Sequence, residues 1–125
     1  MAIREIENGR LKNKIYSDEE FMDIALESCI MNDLIMTPKY KQLMAEKKMQ
    51  KKDLQIYFSY VASLGDYLKS LYLSQVELMQ EMQKVEAYYR LVKGSRREKE
   101  LVQDFSKIID EEIEKFVPNG GEPIN

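Results

Sequence analysis

Histidine is absent from this chain. No imidazole base, Ser-His-Asp or Cys-His pair, or imidazole metal ligand can therefore be assembled from it. The other side chains able to do chemistry are few or scattered. Cys29 is the single cysteine, which excludes an intramolecular disulfide framework and suits a reducing compartment. Its place on an apolar stripe suits a small buried hydrophobe. The other reading is a redox or metal thiol. That reading needs sulfur donors from other chains, because one thiolate cannot complete a zinc or iron–sulfur site. The neighbouring carboxylates Glu111 and Glu112 have the right type for acid–base work, but nothing places them in a cleft, and solubilising charge is the simpler reading. Six lysines fall between positions 39 and 52 (Lys39, Lys41, Lys47, Lys48, Lys51, Lys52), against Glu46 and Asp53. They form either a solvated helix face or an electrostatic patch for an acidic partner or an RNA backbone. The net charge of −3 argues against a general nucleic-acid binder, so direct nucleic-acid binding is not expected. The residues therefore define no catalytic, cofactor or metal site, and a binding protein without enzymatic activity is expected.

Composition indicates what must position these side chains. Hydrophobic residues make up 44% of the 125, enough for the core of one domain. Only 5 Gly and 3 Pro interrupt the chain, and Leu, Met, Lys, Glu and Gln dominate, which favours long helices. Residues 1–16 form an arm with two open readings: a hairpin turning at Asn8-Gly9, or a loosely docked terminus. Residues 17–117 form one helical domain, and 118–125 a flexible tail. Ser17-Asp18-Glu19-Glu20 is a capping box that opens a helix ending near Met36. Thr37-Pro38 opens a second helix, with Thr as cap and Pro at the first helical position. Ser95-Arg96-Arg97-Glu98 repeats the capping pattern and starts the last helix at 96; a continuous helix through Gly94 is the alternative. That last helix carries Leu101, Val102, Phe105, Ile108, Ile109, Ile113 and Phe116 at steps of three and four. The start Met1-Ala2-Ile3-Arg4-Glu5 is charged too early for a signal peptide, and no stretch is apolar enough to span a membrane. A cytoplasmic location without membrane association is expected.

Between these helices runs a heptad pattern. One set reads Leu54, Val61, Leu68, Gln75, Met82, Tyr89; its companion reads Tyr57, Leu64, Leu71, Leu78, Val85, Val92. A repeat of this kind describes a seam that keeps facing a partner helix. One helix over 54–92 would be about 58 Å long, too long for a compact chain of this size. Either it is broken inside the span, or it projects and pairs with another chain. Gln75, the polar member, reads as a register-fixing residue or as a core imperfection. The eight Tyr and eight Met add an interface-like composition. The expected architecture is all-α: an antiparallel helical bundle with short N-terminal helices and long amphipathic ones, oligomeric through protein partners, as a homodimer or hetero-oligomer. Its expected partner contacts are Leu64, Leu71, Gln75 and Leu78 on the seam, with Lys47, Lys48, Lys51 and Lys52 setting orientation.

Two stretches carry a likeness to a known family. One runs from Ala25 through Thr37-Pro38-Lys39-Tyr40 into Lys41-Gln42-Leu43-Met44-Ala45. The other is Leu78-Met79-Gln80-Glu81-Met82-Gln83-Lys84-Val85, followed by Tyr88-Tyr89, Leu101-Val102, Ile108-Ile109 and Ile113. Across residues 18–116 the pattern resembles the YlbF/YmcA family of small bacterial regulators, which includes YheA-like members. The resemblance implies an all-helical, oligomeric, non-enzymatic protein. It also implies a partner role in a complex that influences ribonuclease-dependent mRNA processing, competence, sporulation and biofilm formation. Two positions depart from the family. Glu86 stands where members often carry Pro, and the single Cys29 cannot supply the cysteines of the iron–sulfur cluster in that complex. No cofactor is therefore carried over, and a YheA-like member fits the cysteine count. Two alternatives from other classes are a helical chaperone or adaptor for one client, suggested by the Met and Tyr content, and an RNA-associated protein using the Lys-rich helix.

Overall fold

The computed structural model describes residues 4–12 and 17–117; the expected tail, 118–125, lies outside them, as do parts of the arm. Within the arm the hairpin reading holds. Strands β1 (Ile6–Glu7) and β2 (Arg10–Leu11) pair antiparallel, Ile6 opposite Leu11. Asn8 and Gly9 take φ of 56° and 76°, the two left-handed residues that a two-residue hairpin requires. The remaining elements are α1 (Asp18–Ile35), α2 (Pro38–Glu46), a 3₁₀ turn (Lys51–Asp53), α3 (Gln55–Ser70), α4 (Gln75–Val92) and α5 (Arg96–Lys115). The described chain is mostly helical, with one two-stranded sheet.

The helix boundaries follow local chemistry. Ser17 accepts from the Glu20 amide at 3.2 Å and starts α1, which ends at Ile35. Thr37 occupies the cap position of α2 but does not cap with its side chain; its hydroxyl donates back to the Leu34 carbonyl at 2.6 Å. The heptad span is broken. Ser74 and Glu77 form a complete capping box: Ser74 Oγ accepts from the Glu77 amide, and the Glu77 carboxylate accepts from the Ser74 amide. This starts α4 afresh after α3 has ended at Ser70. Gln75 is consequently the first residue of α4 and exposed; it is not a polar member of a continuous seam. Helix α4 passes Val85-Glu86 without a break and stops at Val92. Gly94 then takes φ of 83°, and Ser95 caps α5 by accepting from the Glu98 amide.

Helix α1 contacts α3, α4 and α5. Its Ile24, Leu26, Ile30, Met31 and Ile35 share a buried cluster with Tyr60, Leu101, Phe105, Ile109 and Ile113. Tyr60 meets Phe105 edge-on at 5.9 Å. Phe21, Ala25 and Val85 form a smaller cluster. The hairpin docks on α3: Leu11 is buried, its amide donates to Ser63 Oγ at 3.0 Å, and Arg10 pairs with Asp66 at 2.7 Å. Among the described residues, no helix is long and apolar enough to cross a membrane.

Candidate protein-docking site

Helix α3 runs opposite to α1. Tyr57 donates to Asn32, Tyr60 to Glu27 and Tyr67 to Asp18, so contacts move back along α1 as α3 advances. Tyr67 also stacks on Phe21 at 5.0 Å. The frame of α1 begins at Asp18, level with Tyr67, and Leu71 lies four residues further, about 6 Å beyond it. Helix α4 returns along α1, with Val85 against Phe21 and Ala25 and Tyr89 donating to Asp33. Its first residue stands ten before Val85, about 15 Å back along the axis. The end of α3 and the first turns of α4 therefore overhang the core.

The overhang is apolar. In α4 Val85 is the sole buried residue of 18. Leu78 and Met82 continue the stripe that Val85 follows into the core, yet both are exposed, as is Leu71 at the end of α3. Val76 is 64% and Met79 62% exposed. Tyr72, in the connection, is 92% exposed and takes φ of 52°, a left-handed conformation that is strained for a bulky side chain. Acidic residues edge this end: Asp18, Glu19 and Glu20 in the first turn of α1, Glu77 and Glu81 on α4. Basic side chains here are Lys69 and Lys84, the latter bound to Glu81 at 3.1 Å. An apolar surface with an acidic edge can seat an amphipathic helix whose apolar stripe is flanked by Lys or Arg.

Of the sequence-derived contacts, Leu71, Gln75 and Leu78 lie on this overhang. Leu64 does not: it is half-buried and packs against both core clusters. The lysines lie elsewhere. Lys51 donates to Asn32, near the far end of α1, and stands 6.0 Å from the Tyr57 ring; Asn32 is fourteen residues, about 21 Å, from Asp18. Lys47 is committed inside the molecule. Its ammonium donates to the carbonyls of Ile113, Glu114 (2.8 Å) and Phe116 (3.4 Å), closing the C-terminus of α5. Lys48 and Lys52 are exposed. Glu112 is also more than a solubilising charge: its carboxylate accepts from the amides of Gln55 (2.6 Å) and Ile56 (3.1 Å), capping α3. Burial raises its pKa, against the lowering effect of the two amide donors. Cys29 is half-buried; burial first, then the Asp33 and Glu86 charges, raise its thiol pKa, the opposite of nucleophile activation.

Sequence reasoning passed over two features. Glu27 is buried on the core face of α1 among Tyr60, Arg4 and Arg97; the available signal was a carboxylate three residues from both Ile24 and Ile30. The overhang was hidden by the heptad, and the Ser74–Glu77 box was the signal that would have exposed it. No protein-family model, curated protein or solved structure matches the chain significantly.

Proposed function

We propose that this protein is a non-enzymatic regulator that works by docking other proteins, in the manner its likeness to YlbF/YmcA and YheA-type regulators implies, with α3 running antiparallel to α1, α4 and α5 in one helical bundle in the cytoplasm. The observation that carries the reading is α4, an 18-residue helix with one buried side chain whose first half presents Val76, Leu78, Met79 and Met82 to solvent. A helix of this length gains most of its stability from a packed face, and the unpacked half is the part left for a partner. The partner is a protein helix with an apolar stripe and basic flanks, chosen by the acidic edge.

Affinity purification of the full chain from its native host tests this when three forms are compared. Met79→Lys places a charge in the centre of the surface. Leu91→Lys places one at a site 82% exposed on the later half of α4. The reading expects the proteins held by the unaltered chain to be retained by Leu91→Lys and lost with Met79→Lys. Equal recovery by all three forms would refute it. The RNA alternative loses Lys47, whose ammonium is occupied by α5, from its binding set.

A further inference from the structure

Helix α2 closes in a Schellman turn. The Met49 amide donates to the Met44 carbonyl at 2.8 Å and the Lys48 amide to the Ala45 carbonyl at 3.0 Å, while Met44 and Met49 are buried in the main cluster. Lys48 takes φ of 57°. Glycine is the residue this position favours, because a side chain here carries a left-handed penalty. A second closed turn follows at once. The Gln50 amide donates to Asp53 Oδ2 at 2.9 Å, and the Gln50 side chain accepts from the Asp53 amide. Lys48, Lys51 and Lys52 are all exposed, and the two turns present them from a fixed backbone. The carboxylates able to neutralise them are engaged elsewhere: Asp53 on Gln50, Glu46 on the Gln42 side chain at 3.2 Å, and Glu112 on the start of α3. Among the described residues, Lys48, Lys51 and Lys52 form no ion pair.

We infer that the loop of Lys48, Lys51 and Lys52 is a second docking surface, at the end of the molecule opposite the overhang, and that it takes a short acidic segment of a partner protein. Charge complementarity supplies the attraction, and the closed turns reduce the ordering that binding would otherwise cost. Four residues separate Lys48 from Lys52, so their Cα atoms are at most about 14 Å apart. Two carboxylates four residues apart on an extended segment span about the same length. The surroundings favour such a segment over a nucleic acid. Lys47, at the head of the loop, is spent on the carbonyls of Ile113 and Glu114. The last turns of α5, with the exposed Glu111 and Glu114, therefore stand beside the loop. A long polyanion would run onto those carboxylates, and the net charge of −3 opposes it further; a short acidic segment meets the lysines alone. Lysine at position 48, where glycine would stabilise the turn, adds a charge at a cost that no contact within the described chain repays.

Fluorescence anisotropy of a labelled hexaglutamate peptide titrated with the full chain at low salt tests this, beside a labelled hexauridine RNA strand. The expected result is saturable peptide binding, weakened by added salt and tighter than that of the RNA strand. Lys48→Glu combined with Lys52→Glu should weaken it about tenfold or more. Lys99→Glu combined with Lys107→Glu makes the same change in net charge at exposed positions outside the loop, and should alter binding less than about twofold. Lys48→Gly keeps the turn and should move two readouts in opposite directions: the chain melts higher as the left-handed penalty goes, while the peptide binds more weakly. Met79→Lys, on the overhang, should leave peptide binding in place, which separates this inference from the partner-docking reading. Absence of saturable peptide binding would overturn it. So would equal losses with the two charge-reversed pairs, peptide binding undiminished by Lys48→Gly, or tighter binding of the RNA strand.

Discussion

The carboxylate of Glu27 gathers donors from three separate parts of the chain. Tyr60 of α3 donates at 2.7 Å and Arg4, ahead of the hairpin, at 3.0 Å; Arg97 of α5 stands at 3.6 Å. Glu27 is 3% and Tyr60 1% exposed. Burial, then the Glu27 charge, pushes the Tyr60 hydroxyl far above its usual pKa, so it stays a donor. Glu27→Ala removes the acceptor and leaves Tyr60 and two guanidinium groups behind. Arg97 has little reserve, since its Nε is already buried without a hydrogen-bond partner. Removing one member of a buried ion pair costs about 3–5 kcal/mol. Two facts favour the lower end. Both arginine side chains keep some solvent contact, 24% and 29%, and Arg97 retains Asp23 at 3.2 Å. We expect a loss of about 3 kcal/mol, a large share of the 5–15 kcal/mol that holds an ordinary domain folded. Urea unfolding at neutral pH, followed by far-ultraviolet circular dichroism, reads this as a lower midpoint at unchanged slope. Glu27→Gln keeps an acceptor for Tyr60 but loses the charge, and should fall between the two. A loss below about 1 kcal/mol for Glu27→Ala would show that this cluster does not tie α1 to its neighbours.

Lys47→Met should destabilise by about 1–2 kcal/mol, because three carbonyls at the end of α5 lose a charged donor; an unchanged urea midpoint would contradict this. Tyr72→Gly should stabilise the isolated chain by roughly 1 kcal/mol, since glycine takes the left-handed conformation without strain, while weakening capture of the partner protein; loss of stability would show that Tyr72 is held by packing. Glu112 supplies a pH signature. Its pKa is raised in the fold from an ordinary 4.5, burial outweighing the two amide donors, so the folded state holds the proton more tightly than the unfolded one. Its contribution is fully present below pH 4.5 and is lost as pH rises through the higher folded value. The stability difference between the unaltered chain and Glu112→Gln should therefore shift against the unaltered chain as pH rises across that window, and the opposite trend would mean the helix-capping charge dominates. Amide hydrogen exchange should be faster at Leu78–Met82 than at Val85–Val92 of the same helix; equal protection would mean the overhang is as stable as the packed half.

Much of the frame was legible because its signals are local. Ser17, Pro38 and Ser95 mark helix starts through contacts within one turn, and the four-residue steps of Leu101, Phe105, Ile109 and Ile113 mark a face that is buried as expected. Asn8-Gly9 carried the hairpin for the same reason. The seam left a broken and a projecting helix both open, and the break holds; a heptad records which side is apolar and says nothing of whether the backbone is continuous. Leu64 and Leu71 are equivalent in that pattern, yet one packs against both clusters and the other is exposed past the start of α1, where none of the described elements covers it. The long-range caps were illegible for a different reason. Leu54 has no side-chain oxygen to cap α3, and the carboxylate that does so, Glu112, comes 57 residues after Gln55. Lys47 reads as one charge in a basic run, and only the fold brings α5 to it.

The two ends of the molecule consequently differ in how their charges are used. Toward the far end of α1, side chains from distant segments close helix termini: Glu112 on α3 and Lys47 on α5. This converts charges that look like surface decoration into fasteners. At the near end, the charged groups Asp18, Glu77 and Glu81 surround apolar side chains that nothing in the described chain covers. A chain selected only for its own stability would place charge at Val76 and Met79 and a glycine or asparagine at Tyr72. Instead, exposed apolar surface and a strained aromatic are concentrated where the frame has run out. These departures share a direction: each lowers the stability of the isolated chain and each suits contact with another surface. That coincidence is the physical case for the docking reading proposed above.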